Sequence, residues 1–340
     1  MSAHEKCVLI TGGAGFIGSH LVEEYLANDA KKVVVYDDFS TGNMENLSEA
    51  KSDKRLKIVK GSILDATMLH DVVQKEKINI IDHIAAELEV YTGIRDTEKD
   101  ARINILGTLN VLNIALKSKM EKVLFASSGA VYGEAKYLPI DENHPLEPHW
   151  PYGVSKLSAE RYVVQYYKLF GLNTTAFRYG IVYGPREWFG RVLTMFIKRI
   201  FLENKPPVVF GDGLQTRDFV YVKDIAKAHM LAIEKPETAG EVFNLGSGKG
   251  ISIKELATTL VELIGKKLDV IYDNPPEGSA SSFQPERIRL QGELKNFVLD
   301  CRKAKEILGW ASQTSFKDGL AEEIAWILKF PKRWSGKPRV

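Results

Sequence analysis

The stretch Lys6-Cys7-Val8-Leu9-Ile10-Thr11-Gly12-Gly13-Ala14-Gly15-Phe16-Ile17-Gly18 decides the fold. Its apolar run reads as a buried strand, its glycines as a turn, and Ser19 to Leu26 continues at helical spacing. A glycine-rich turn between a strand and a helix lets backbone N–H groups and the positive helix end meet a pyrophosphate. Any side chain larger than hydrogen would obstruct the tight turn and the close approach. The next strand, Lys32 to Tyr36, ends in Asp37, 19 residues beyond Gly18. That is close to the ~20 at which a carboxylate meets the ribose of a dinucleotide. Glycine-rich turns occur in many α/β proteins; the flanking strand and helix and the placed acid point to dinucleotide binding.

Working outward, strands and helices alternate. Leu56 to Val59, Ile78 to Ile84, Lys122 to Ala126 and Asn173 to Tyr179 read as strands. Thr67 to Lys75, Asp100 to Ser118 and Tyr152 to Phe170 read as helices, the last closed by Gly171. The alternation predicts right-handed crossovers and an α/β fold with a doubly wound parallel sheet. The pattern loosens after Tyr183. Asp218 to Val222 and Glu241 to Leu245 are expected as strands rejoining the sheet, and Ile253 to Ile264 and Arg302 to Leu308 as helices. The polar segment 274–290 reads as a surface loop. This predicts two domains: a dinucleotide-binding Rossmann domain from 1–183 with 218–248, and a smaller α/β substrate domain from 184–217 with 249–340.

The 340 residues, 44% hydrophobic, exceed what one core usually supports. A net charge of +2 gives no reason to expect nucleic acid or an anionic membrane as partner. Cys7 and Cys301 cannot build a disulfide framework. No apolar run approaches the ~20 residues needed to span a bilayer. Met1 to Lys6 leads straight into a strand with no signal-peptide pattern. A cytoplasmic protein without a metal site is therefore expected.

Sheets of this kind bind ligands beyond the carboxyl ends of their strands. There, Ser127 and Ser128 follow a strand, and Pro151-Tyr152-Gly153-Val154-Ser155-Lys156 opens a helix. Tyr152 and Lys156 are four apart, hence on one helical face. A free phenol, with pKa ~10, is a poor base at neutral pH, and a nearby ammonium favours its ionised form. Such a tyrosine can take a hydroxyl proton as hydride leaves the same carbon, with a serine hydroxyl holding the oxygen. Hydride itself needs a nicotinamide, since no side chain accepts it. Tyrosine four before lysine is common on helices by chance; the fingerprint upstream and the Ser-Ser strand end change its meaning here. His83, in an apolar strand, reads as structural, and Tyr162, Tyr166 and Tyr167 as packing or a subunit contact.

With these motifs, the chain resembles the nucleotide-sugar branch of the extended short-chain dehydrogenase/reductase family, the branch that includes UDP-glucose 4-epimerase. Further marks are His83-Ile84-Ala85-Ala86, Asn104-Ile105-Leu106-Gly107-Thr108, Phe177-Arg178-Tyr179, Tyr183-Gly184-Pro185-Arg186, Gly211-Asp212-Gly213, Gln215-Thr216-Arg217-Asp218 and Asn244-Leu245-Gly246. The resemblance implies that Gly12, Gly15, Phe16, Ile17 and Gly18 cradle the pyrophosphate of NAD. It implies that Asp37 holds the adenosine ribose beside Phe39 and Ser40, and that Ser62 and Ile63 border the adenine. Ala85, Ala86, Asn104 and Tyr179 line or support the cofactor path. Ser128, Tyr152 and Lys156 form the catalytic set. Arg217 pairs with the substrate phosphates, with Arg186 and either Arg287 or Arg289 as further contacts, Arg289 foremost, and Phe297 limits room beside the sugar.

Four departures lie mostly on the substrate side. Ser62 stands where the family usually has Asp, and Gly180-Ile181 replaces its Phe-Asn. Glu87 and Glu89 stand at commonly neutral positions, and Leu290 stands where an arginine is usual. A related 4,6-dehydratase would need an acidic pair at Gly129 and Ala130, which cannot transfer protons. The reading is NAD-dependent 4-epimerisation of a nucleotide sugar, UDP-glucose and UDP-galactose first. A uronic-acid 4-epimerase using Arg186 or Arg191, a decarboxylase and a 4-keto reductase remain alternatives, and a non-catalytic dinucleotide-binding module a remote one. The resemblance also implies a homodimer, built by pairing helices 100–118 and 152–170 across a two-fold axis.

Overall fold

The computed structural model describes residues 3–334. Its first half alternates β1 (Cys7–Thr11), α1 (Phe16–Ala27), β2 (Lys32–Asp37), β3 (Leu56–Lys60), α2 (Ala66–Glu76) and β4 (Ile80–His83). Short helices α3 (Val90–Arg95) and α4 (Thr97–Ala101) lead through a π-helical turn, Arg102–Gly107, into α5 (Thr108–Lys117). Then come β5 (Lys122–Ser128), α6 (Pro151–Phe170), β6 (Thr174–Tyr179) and β7 (Ile181–Tyr183). The second half holds α7 (Val192–Ile197), β8 (Val208–Phe210), β9 (Thr216–Tyr221), α8 (Val222–Glu234) and β10 (Val242–Leu245). β11 (Gly250–Ser252), α9 (Ile253–Ile264), β12 (Ile271–Asp273) and α10 (Phe316–Lys329) complete it.

The main sheet has seven parallel strands in the order β10-β6-β5-β4-β1-β2-β3. Its apolar runs are buried on both faces. Val8 and Ile10 of β1 pack into one cluster with Val33 and Val35, while Leu9 and Val34 pack into the other. That double burial is why these strands read as continuous apolar runs rather than alternating ones. This is the doubly wound Rossmann arrangement expected from the alternation.

Two expectations are corrected. Val222 opens α8, and residues 218–221 fall on β9, which does not rejoin the main sheet. It pairs with β7 in parallel and β11 antiparallel in a separate three-stranded sheet, while β10 alone returns to pair with β6. Residues 302–308 are helical as expected, with Arg302 and Lys303 α-helical and Ala304–Leu308 a π-helical turn ended by Gly309 in the left-handed region. The expected single helix 100–118 is interrupted by the π turn. Helices α8 and α10 occupy stretches to which the sequence reading assigns no element.

The glycine turn shows why its residues cannot grow. Gly12 adopts φ +69° and lies against the backbone of Ala85, where an added Cβ would stand 2.8 Å from the Ala85 nitrogen. A Cβ on Gly18 would stand 2.2 Å from the Gly12 carbonyl oxygen. Gly18→Ala must therefore push α1 away from the turn. We expect the variant to melt at lower temperature in calorimetry and to lose dinucleotide affinity; an unchanged melting temperature would show that the turn relaxes freely.

Candidate active site

The cradle starts at the carboxyl end of β1. Gly15 caps α1 with no side-chain hydrogen bond, and no acid occupies the first turn. The leading N–H groups of the helix are thus left for an anion. Asp37 ends β2 and accepts from the Ala14 N–H at 2.9 Å and the Phe39 N–H at 2.8 Å. A carboxylate offers about four acceptor sites, so it retains capacity for a diol. Burial raises its pKa, and those two backbone bonds oppose the rise. Ser40 turns instead to Asp38, donating from N at 2.8 Å and Oγ at 2.6 Å. Ser62 follows β3, with its carbonyl accepting from the Tyr36 hydroxyl at 3.1 Å. Ile63 packs against Gly107 at the start of α5. The Ala85 N–H donates to Thr11 Oγ1 at 3.3 Å, and Ala86 follows it out of β4. Phe16 and Ile17 begin α1, Phe16 edge-on to Trp188. Glycines, uncapped helix and placed acid together fit a dinucleotide.

His83 is buried between the hydroxyls of Thr11 (2.7 Å) and Thr108 (3.0 Å). Burial drives its pKa down to about 3, so it is a neutral structural group, as expected. Asn104 sits in the π turn. It accepts from the Glu87 N–H at 2.9 Å and donates to the Glu87 carbonyl at 2.8 Å and to Ser155 Oγ at 2.9 Å. It thereby ties the segment after β4 to helix α6.

Ser128 ends β5 beside Tyr152 in the first turn of α6, and its Oγ accepts from the Ala130 N–H at 3.1 Å. Burial raises the Tyr152 pKa, and the neighbouring Ser128 hydroxyl and the positive charge of Arg191 pull it back. The positive charge of Arg191 thus acts on the phenol, and Lys156 stands one helical turn further along α6. Lys156 Nζ instead lies 4.3 Å over the Phe125 ring, and burial lowers its pKa to about 7 against the pull of Glu160 and Asp100. Tyr179 lies opposite Ser128 in the β5–β6 register, but its hydroxyl turns into the core. It meets His229 Nε2 at 2.6 Å, and His229 Nδ1 meets Asp82 at 2.9 Å.

Glu160, which the sequence reading does not single out, secures this helix. It accepts from Ser127 Oγ at 2.6 Å and from Arg178 Nε at 2.9 Å and Nη2 at 2.5 Å. All three residues are buried. Its sequence signal is its spacing, four residues past Lys156.

A cavity of about 240 Å³ is lined by Ile181, Tyr183, Glu187, Arg191, Arg217, Arg287 and Glu293, among others. Arg217 Nη1 donates to the Thr216 carbonyl at 2.8 Å, and its Nη2 lies 3.7 Å from Glu293. Arg287 donates to the Val208 carbonyl at 2.5 Å and stacks 4.1 Å over Phe210. The structure does not bring Arg186 or Arg289 to this cavity. Arg186, at φ +75°, turns to α1, where it pairs with Glu23 and Ser19 Oγ. Arg289 binds Asn274 Oδ1 at 2.6 Å in a separate shallow cleft with Lys254 and Tyr272, across Glu293 from Arg217. Phe297 is buried against Gly129, where a Cβ would stand 2.2 Å from its ring. Among the described residues, no group of three or more His, Cys, Asp or Glu side chains is placed to hold a metal, and no helix is long and apolar enough to cross a membrane.

Comparison with known proteins agrees with this geometry. The sequence model of the GDP-mannose 4,6-dehydratase family matches residues 9–323. The UDP-glucose 4-epimerase of Mycolicibacterium smegmatis is 35% identical over 94% of this chain and 97% of its own. The structure of the Thermotoga maritima UDP-glucose 4-epimerase with UDP-glucose superposes with a TM-score of 0.86 at 34% identity, covering 96% of this chain and 99% of that one. The dTDP-glucose 4,6-dehydratase of Streptomyces venezuelae, with NAD bound, superposes with a TM-score of 0.86 at 29% identity, covering 97% and 99%. The chain belongs to the GDP-mannose 4,6-dehydratase family of extended short-chain dehydrogenases/reductases, whose relatives are nucleotide-sugar epimerases and dehydratases.

Glu160→Ala leaves the Arg178 charge buried without its partner. We expect a loss of about 3–5 kcal/mol in urea unfolding; a loss under 1 kcal/mol would mean that water reaches Arg178.

Proposed function

We propose that this member of the family is an NAD-dependent 4-epimerase of a nucleotide hexose, with UDP-glucose and UDP-galactose as the first pair to test. The observation that supports the reading is the convergence of Ser128, at the carboxyl end of β5, with Tyr152 in the first turn of α6, one helical turn from Lys156. In this reading Gly12, Gly15, Phe16, Ile17 and Gly18 hold the pyrophosphate. Asp37 takes the adenosine ribose with Phe39 and Ser40 alongside, and Ser62 and Ile63 border the adenine. Ala85, Ala86, Asn104 and the backbone of Tyr179 shape the path to the nicotinamide end. Bound there, NAD supplies the acceptor and donor of hydride.

Tyr152 takes the proton of the sugar C4 hydroxyl, and Ser128 holds that oxygen while the carbon is a carbonyl. Tyr152 then returns the proton to complete the inverted centre. Arg217 and Arg287 meet the diphosphate, for which a guanidinium fork is suited. Arg186 supports α1 rather than substrate, and Arg289 stands behind Glu293. Phe297 over Gly129 bounds the sugar pocket. Gly129 and Ala130 offer no proton-transfer group, which disfavours elimination of water.

Exposed apolar side chains on α6, Val154, Tyr162 and Leu169, about two turns apart, support a homodimer built through this helix.

Purified protein given NAD and UDP-glucose should form UDP-galactose. Tyr152→Phe should lower kcat about 10²–10⁴-fold while dinucleotide titration shows undiminished binding. Full activity in that variant would place the base elsewhere, and no turnover of any nucleotide sugar by the parent protein would leave a binding module. Sedimentation at micromolar concentration should give twice the chain mass; a single-chain mass would remove the dimer.

A further inference from the structure

The glycine turn is held from a distant part of the chain. Past α10, Pro331–Trp334 form a single 3-10 turn. Trp334 is 1% exposed; its Nε1 donates to the Glu187 carbonyl at 3.2 Å, and its ring stacks on that of Phe189. A buried anchor of this size fixes the turn, and with it the preceding side chain, Arg333. Arg333 Nη2 donates to Asn46 Oδ1 at 2.8 Å, 287 positions away in sequence. Trp326 of α10 backs the guanidinium, which lies 5.8 Å from its ring centre. The second contact, Nη1 to Glu45 at 3.3 Å, meets a carboxylate side chain that is 61% exposed, so it contributes little.

Asn46 passes the constraint on. A guanidinium carries donors only, so it decides which end of an amide faces it. Oδ1 of Asn46 turns to Arg333, and Nδ2 must then turn to the Ala14 carbonyl, which it meets at 2.9 Å. The Asn43 N–H donates to the same carbonyl at 2.9 Å. The peptide that bears this carbonyl also bears the Gly15 N–H, which donates to the Gly12 carbonyl at 3.0 Å. On the other side of the residue, the Ala14 N–H donates to Asp37 Oδ2 at 2.9 Å. Ala14 is therefore pinned at both ends, between Asn46 and Asp37. Both of these side chains are buried, so water is a poor substitute for either bond. An amide released from Arg333 is free to present Oδ1 to the Ala14 carbonyl, where two acceptors repel.

We propose that Arg333 is a positioning residue of the dinucleotide site, setting Asp37 for the adenosine ribose through the Asn46 amide and the Ala14 peptide. This rests on the assignment of Asp37 to that ribose and is independent of which sugar is turned over.

The test is a competition on the full chain between NAD and its analogue lacking the 2′-hydroxyl of the adenosine ribose. Their affinity ratio reports the grip of Asp37 on the diol, and any general change in stability cancels from it. The parent should favour NAD by about tenfold or more, the worth of about one hydrogen bond to a charged group. Arg333→Gln, which can offer Asn46 a donor or an acceptor, should cut the ratio to about threefold or less. Arg333→Lys, again a donor only, should recover part of it. A ratio unmoved in Arg333→Gln, even with both dinucleotides bound more weakly or a lower melting temperature, would overturn the proposal and leave Asp37 its ribose. A parent that does not distinguish the two dinucleotides would overturn both.

Discussion

The ion pair between Glu160 and Arg178 fixes α6, the helix that carries Tyr152 and Lys156. Tyr152, Lys156 and Glu160 recur every four residues and share one face of α6. Glu160 is the end of that row sunk in the protein, fastened to β5 through Ser127 and to β6 through Arg178. Arg178 continues to the Tyr132 hydroxyl at 2.8 Å, and that hydroxyl donates to Asn244 of β10 at 2.7 Å. One buried network thus clamps the helix to three neighbouring strands. A charge pair at this depth is weak evidence for net stability, because desolvation opposes attraction. What it supplies here is register: it allows α6 one seat, and that seat brings Tyr152 to Ser128.

The second fastening comes from the opposite side. The π turn before α5 lets Asn104 reach both the segment after β4 and Ser155 of α6. Wide turns of this kind are rare and frequent at functional sites. Between them, Glu160 and Asn104 hold α6 at two points on different neighbours, which keeps Tyr152 beside Ser128.

The sheet was legible because its strands are buried on both faces and punctuated by glycine and helix. The same periodicity misassigned β9, since a buried run such as Asp218-Phe219-Val220-Tyr221 carries no mark of which sheet it joins. Helix α8 follows β9 without a break, so no loop signalled it. Helix α10 did leave a signal: Ser315 accepts from the Asp318 N–H, a capping pattern readable in the sequence. A pair such as Glu160 with Arg178 joins distant segments and leaves no local trace. The arginines show the limit most clearly. Arg186 and Arg191 are five residues apart, yet one is drawn to Glu23 on α1 and the other to the Val182 carbonyl.

The charge state of Tyr152 and Lys156 was the least legible feature, for a physical reason. Spacing on a helix reports proximity, from which the ammonium of Lys156 was expected to ease ionisation of Tyr152. The fold buries both groups, and burial penalises whichever form is charged. It therefore raises the phenol and lowers the amine together, toward two neutral groups. Ser128 and Arg191 offset this at the phenol, and Glu160 and Asp100 offset it at the amine. Each member of the pair is thus governed by its own surroundings more than by the other. The sequence specifies where the two side chains stand, while their ionisation also follows from Ser128, Arg191 and Asp100, on three other segments that converge only in the folded chain.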